Sequence, residues 1–289
     1  MKLPLLLLAL LAVQDEKLYT ATPFAAGFTA GIEGPATDRD GAVYVVNYQK
    51  EQTIGRVTPD GKAEVWTTLP GKSVGNGIRF DQDGLMYVAD YVGHNVLRID
   101  PKTKALEVYA HEDRMNQPND LAIAADGTLY ASDPNWKAGT GQLWRIGRDR
   151  KVLLLASGMG TTNGIDVSPD GKTLYVNESV QRNIWAFPIT AEGVGEKKLL
   201  LQFPDHGFDG MRCDVDGNLY VARYGKGVVA VVSPEGKVLR EIDVLGKQPS
   251  NLCFGGPDGR TVYVTEVEHT RLVQFRVEKP GLEWTRRKR

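Results

Sequence analysis

Six copies of one short pattern constrain this chain more than any other feature. An aspartate-glycine pair stands between two apolar segments at Asp40-Gly41, Asp83-Gly84, Asp126-Gly127, Asp170-Gly171, Asp216-Gly217 and Asp258-Gly259. Each glycine is followed within four residues by a tyrosine: Tyr44, Tyr87, Tyr130, Tyr175, Tyr220 and Tyr263. Eight residues before the glycines stand Glu33, Asn76, Asn119, Asn163, Asp209 and Asn251, separated by 43, 43, 44, 46 and 42 residues. Asp-Gly between alternating apolar segments marks a β-hairpin, because such a turn needs positive φ. Third-strand segments follow ("TIGRVTPDG", "NVLRIDP", "QLWRIGRD"), and then fourth-strand segments ("AEVWTTL", "ALEVYA", "VLLLAS"). Four strands per repeat of this length is the spacing of a propeller blade. The sequence therefore predicts an all-β chain: one six-bladed β-propeller over residues 17–289, with four antiparallel strands per blade.

The last repeat is short, so its outer strand must come from elsewhere if no sheet edge is to stay open. "KLYTATPF", Lys17 to Phe24, is the expected donor, and "LEWT", Leu282 to Thr285, competes with it. At the other end, Lys2 precedes an apolar run from Leu3 to Val13 and then Gln14-Asp15-Glu16. That run is too short for a bilayer span, which needs about 20 residues. It fits an export signal over residues 1–16, either cleaved to release a periplasmic or secreted protein or kept as a membrane anchor. No other stretch is long and apolar enough to cross a membrane.

The charge balance narrows the function. Lys plus Arg number 35 and Asp plus Glu 36, a net charge of −1. A nucleic-acid binder usually carries a basic excess. The basic run Arg286-Arg287-Lys288-Arg289 reads as a solvated tail. The two cysteines, Cys213 and Cys253, read as buried free thiols.

In a propeller the first strand of each blade lies nearest the axis, so the six lead residues converge on one mouth of the central channel. Residues two and four places on are mostly apolar (Ile78, Leu121, Ile165, Met211; Phe80, Ile123, Val167, Cys213) and form packing columns. The residue directly after the lead position is glycine in four repeats: Gly34, Gly77, Gly164 and Gly210. Glycine there allows close backbone approach. Six oxygen-bearing side chains with two formal negatives are costly to gather without compensation. Carboxylate and amide oxygens without His or Cys suit Ca²⁺, with Mg²⁺ as a harder-to-fit alternative. Asn and Asp also favour turns, but that explanation is weaker for Glu33 and Asp209, which have no evident cation in their own repeats.

Several segments together resemble the gluconolactonase, or senescence-marker-protein/regucalcin, family: "IEGPATDRDGAVYVV", "QPNDLAIAADGTLYASDP", "TTNGIDVSPDGKTLYVNES", "FDGMRCDVDGNLYVARYGKG" and "LCFGGPDGRTVYVTE". The resemblance covers about residues 20 to 277. It implies a six-bladed propeller with a divalent cation in the channel, usually calcium, with Mg²⁺, Mn²⁺ or Zn²⁺ as other occupants. It implies hydrolysis of lactones, sugar lactones among them, and related propellers hydrolyse organophosphates. Glu33, Asn163 and Asp209 match the family's metal ligands. Asn119 matches a position that is a fourth ligand in some members and a substrate contact in others. Asp209 is implied as base or nucleophile. Chemistry at such a site would place the Asn76 and Asn119 amides near the developing oxyanion, and Asp120 as a substrate contact, a support for a neighbouring ligand or the proton acceptor itself, with a plain turn residue as the alternative. Gly75 stands where family members often carry proline before the second-repeat asparagine.

Other chemistry finds less support. His94, His111, His206 and His269 fall in different repeats without metal-ligand spacing. His206 lies on the loop leading to Asp209, and Tyr91, Arg223 and Tyr224 follow second strands at the same mouth. No G-x-S-x-G elbow is present, and "GMGTTNG" lacks the lysine of a phosphate loop. The rival class is a secreted binding platform that uses its metal only structurally. A strictosidine-synthase-like propeller is disfavoured by Glu33, Asn163 and Asp209.

Overall fold

The computed structural model describes residues 17–287. The proposed export signal over residues 1–16 lies outside the described residues, as do Lys288 and Arg289. Six four-stranded antiparallel sheets follow one another around a ring. Their inner strands are Phe28–Thr37, Gly75–Phe80, Leu121–Ile123, Thr162–Val167, Met211–Cys213 and Pro249–Gly255. The predicted six-bladed propeller is the observed fold. No described helix is long and apolar enough to cross a membrane.

The repeated turn has a specific chemistry. In the first blade Asp38 N–H donates to Ala42 O at 2.9 Å, enclosing the loop Arg39-Asp40-Gly41, with Gly41 at φ 84°. The Asp38 carboxylate accepts the N–H groups of Asp40 and Ala42, both at 2.9 Å. Asp81 and Asp214 do the same in the second and fifth blades. The glycine alone takes positive φ, so this is the three-residue hairpin loop rather than the two-residue one.

The tyrosines of the pattern pack against other aromatic rings in several blades. Tyr44 meets Trp66 edge-on at 5.1 Å, Tyr87 meets Tyr109 at 5.1 Å, and Tyr220 meets Phe254 of the next blade at 5.0 Å. Apolar clusters span neighbouring blades: Val46 and Ile54 pack with Ile78, Val88 and Leu97. The expected columns are buried, with Ile78, Leu121, Ile165 and Met211 all fully enclosed.

The two ends of the chain are both engaged. Thr22–Ala26 pairs with Arg271–Arg276 and supplies the fourth strand of the last blade. This is the expected donor, shifted a few residues toward the C-terminus. The competing segment does something else. Leu282–Arg286 forms a short helix at the end of the channel opposite the lead residues. Leu282 packs with Met211 and Cys213. Glu283 faces Arg79 at 3.7 Å, and Trp284 lies against Gly259.

The reading of the basic terminus as a solvated tail is corrected for its described part. Arg286 donates to the carbonyls of Ile123, Ser168 and Pro169 at 3.3–3.4 Å. Arg287 donates to Thr37 Oγ1 at 2.9 Å and Asp38 O at 3.2 Å, and its side chain is nearly enclosed. The ends of the inner strands leave carbonyls without a partner in the ladder, and these two guanidinium groups supply donors to them. Arg287→Ala should lower stability by about 1–2 kcal/mol through these lost charge-assisted bonds, readable as a shifted urea midpoint at unchanged m. Cys213 and Cys253 are buried and free, as expected.

Candidate functional site

The lead residues lie within or just before the inner strands, and in several blades the pairing is irregular there. Pairing is irregular between Gly75 and Ile78, between Thr162 and Ile165, and between Glu33 and Ala36. These bulges turn the lead side chain toward the axis while the following residues resume packing between blades. The crowding leaves no room beside the backbone: a Cβ on Gly164 would stand 2.6 Å from both Asn177 Nδ2 and Asp209 O, and one on Gly77 would stand 2.5 Å from Asp120 Oδ1.

A cavity of about 330 Å³ occupies the mouth, and Glu33, Asn76, Asn119, Asn163 and Asp209 all line it. Glu33 and Asp209 are half-buried and face it, whereas Asn119 and Asn163 are 5% and 2% exposed. Side-chain amides brace the lead residues. Asn251 Nδ2 donates to Glu33 Oε2 at 2.9 Å. Asn177 Nδ2 donates to Asp209 O at 2.7 Å, and Asn163 Nδ2 to Ser179 Oγ at 3.1 Å. The other oxygens, Glu33 Oε1, Asn119 Oδ1 and Asn163 Oδ1, are enclosed and have no hydrogen-bond donor among the described residues.

The electrostatics point the same way. Burial pushes the Glu33 carboxyl up, opposed by the Gly34 N–H and the Asn251 amide. Burial and then the neighbouring Glu33 charge hold Asp209 well above the usual carboxylate range. The two carboxyl groups lie within hydrogen-bonding reach of one another. Two pressed carboxylates with orphaned carbonyl-type oxygens form a donor set that fits a hard divalent cation.

Asp120 is placed differently from its expected role as a substrate contact. It is fully buried beneath the lead residues, 3.3 Å from Arg79 Nη1 and 2.9 Å from Arg212 Nη1. It reaches the mouth only through Asn251, whose Nδ2 lies 3.5 Å from Asp120 Oδ2 and 2.9 Å from Glu33 Oε2. Asp120 thus lies beneath the ring and is joined to it through Asn251. Burial raises its carboxyl and the Arg79 charge opposes the rise.

Arg79, Asp166 and Arg212 were absent from the predicted site. Each stands three positions beyond its lead residue, and Arg79 also donates to Ile165 O at 3.0 Å across the channel. A charge in the middle of a buried strand was the available signal. Of the mouth residues named from sequence, Tyr91 and Tyr224 line the cavity. His206 lines a second cavity beside it. Arg223 does not line either: its guanidinium lies over the Phe203 ring at 3.7 Å and pairs with Asp205 at 2.8 Å. Trp136, which no motif singled out, lines both cavities.

One further cluster joins Glu266, Glu268 and His269, whose donor atoms lie within 4.8 Å of one another. Local loop geometry thus groups His269 with two carboxylates despite the lack of a sequence motif. Its buried carboxylate is already taken, since Glu266 accepts the N–H groups of Gln248, Glu268 and His269 at 3.0–3.2 Å.

A family model described as SMP-30/Gluconolactonase/LRE-like region matches residues 32–268, which include every lead residue. The chain belongs to this family. Among similar SMP-30/gluconolactonase-like proteins is the gluconolactonase of Zymomonas mobilis, 26% identical over 270 residues, 81% of this chain and 75% of that protein. The diisopropyl-fluorophosphatase of Loligo vulgaris is 27% identical over 289 residues, covering 87% of this chain and 90% of its own. The solved structure of regucalcin from Agrobacterium tumefaciens, described as a calcium-binding protein, superposes with a TM-score of 0.77 at 23% identity, covering 89% and 96% of the two chains. This last likeness bears on the fold, and it agrees with the ring of six blades.

Proposed function

We propose that this SMP-30/gluconolactonase-like chain is a hydrolase that opens the ester ring of a lactone. The observation that carries the proposal is the convergence of Glu33, Asn119, Asn163 and Asp209 on one cavity, with three of their oxygens enclosed and unpartnered. Family membership and the gluconolactonase relative support it. These four residues would hold the divalent cation, and their all-oxygen chemistry favours Ca²⁺ over zinc or copper. When bound there, such an ion supplies electrophilic polarisation of a carbonyl and of water.

The chain's own groups do the rest. Asp209 accepts a proton from the attacking water as the water oxygen bonds to the lactone carbonyl carbon. The ring C–O bond then breaks, and the released alkoxide oxygen takes a proton back, giving a hydroxy acid. Asn76 and Asn119 carry amide N–H donors on adjacent blades, placed to stabilise the oxyanion. Trp136 and Tyr91 line the cavity and supply apolar surface beside the substrate.

Chelation tests this reading. Removal of divalent ions should abolish hydrolysis of aliphatic, aromatic and sugar lactones alike. It should also lower stability by about 3 kcal/mol relative to protein at 100-fold excess over Kd. Re-addition of Ca²⁺, Mg²⁺, Mn²⁺ and Zn²⁺ in turn then ranks the ions by recovered rate. Hydrolysis that persists after verified metal removal would overturn the metal assignment. A firmly bound ion with no turnover of any lactone would favour a binding protein instead. The segment over residues 1–16 is proposed as an export signal from Lys2 and the apolar run Leu3–Val13.

A further inference from the structure

A second cavity of about 560 Å³ opens beside the first and shares Trp136, Asp209 and Tyr224 with it. The two adjoin along these residues, with the proposed base in the common wall. Trp136, Val180 and Tyr224 stand 39%, 64% and 36% exposed, so their apolar surface is not used in the protein's own packing. Phe208 backs the same wall and is buried. The polar lining is partly engaged: Arg182 Nη1 donates to the Pro204 carbonyl at 3.1 Å, Ser179 Oγ accepts from Asn163 Nδ2 at 3.1 Å, and Asp209 belongs to the inner site, so that His206, the Tyr224 hydroxyl and the other N–H groups of Arg182 are left to meet a ligand.

A polyhydroxylated chain placed here would set hydroxyls against the exposed apolar faces of Trp136 and Val180, which cannot bind them. An alkyl or aryl group would instead cover the exposed apolar side chains. We infer that this outer chamber takes the apolar substituent of the substrate, so that the preferred lactones are alkyl- or aryl-substituted rather than sugar-derived. This rests on the lactonase reading above. The lactone ring lies in the inner cavity at Asp209, and its substituent lies across Trp136 toward Val180.

The test compares γ-butyrolactone, γ-decalactone (the same ring with a hexyl chain) and δ-gluconolactone as substrates of the metal-loaded protein. The expected gain in kcat/KM is about two- to threefold per methylene, hence on the order of 10² across the hexyl chain, with KM carrying most of it. Val180→Asp, at an exposed position, should erase most of the ratio between the two γ-lactones. Calorimetric binding of 2-pyrrolidinone and 5-hexyl-2-pyrrolidinone reads the chamber without turnover. If no lactone is hydrolysed but the hexyl lactam binds far tighter and Val180→Asp removes the difference, the hydrolase reading falls and the chamber stands. If lactones are hydrolysed with no chain-length dependence, or δ-gluconolactone is preferred and both lactams bind alike, the chamber assignment is overturned.

Discussion

Asp209→Asn should reduce lactone hydrolysis on the order of 10³-fold in kcat while the protein stays folded. The substitution keeps the shape and one oxygen donor but removes the group that accepts the water proton. Asn177 binds the Asp209 backbone carbonyl rather than its side chain, so the inner strand should keep its place. The accompanying stability change distinguishes this from simple damage. Burial and then the Glu33 charge raise the protonation preference of Asp209, because the two carboxyl groups share a half-buried site. Deleting one charge relieves that repulsion, so the chelated variant should melt no lower than the chelated parent. Near-normal turnover in the variant would remove Asp209 from the mechanism.

Asp120→Asn should be the most destabilising single change at the axis. It leaves the guanidinium groups of Arg79 and Arg212, 1% and 2% exposed, without their shared counter-charge. Removing one partner of a buried ion pair costs about 3–5 kcal/mol. In a chain of this size that corresponds to a fall in Tm of roughly 10 °C. The variant with Arg212→Met in addition should recover part of the loss, since one unpaired charge is removed with it. Thermal melts of the two single variants and the double variant measure that coupling. Additive losses would show that the three groups do not act as a unit.

The blades were legible because their signal is local and repeated. An aspartate, a glycine and a tyrosine at fixed offsets specify a hairpin and its packing ring, and six copies leave little alternative. The lead residues were legible for the same reason: position within a repeat is position around the axis. What lay between them was not. Arg212 and Asp120 are 92 residues apart in sequence, and nothing in either neighbourhood announces the other. The bulges at the strand starts also break the simple alternation, so Arg79 and Asp166 cannot be assigned to channel or blade by counting. The helix Leu282–Arg286 is too short for a periodic pattern, and its contacts, with those of Arg287 that follows it, reach strand ends in different blades. Trp136 and Val180 sit on loops whose convergence is set by the fold rather than by any motif.

The outer strand Thr22–Ala26 and its partner Arg271–Arg276 come from opposite ends of the polypeptide. During synthesis the earliest of these segments emerges long before the other exists. Until then it is an orphan edge, open to pairing with any stray strand. Closure must also wait for the most distant loop in the molecule, a slow step among otherwise neighbouring hairpins. Overcrowded expression should therefore produce aggregates built on that unmet segment, even when the finished protein is stable.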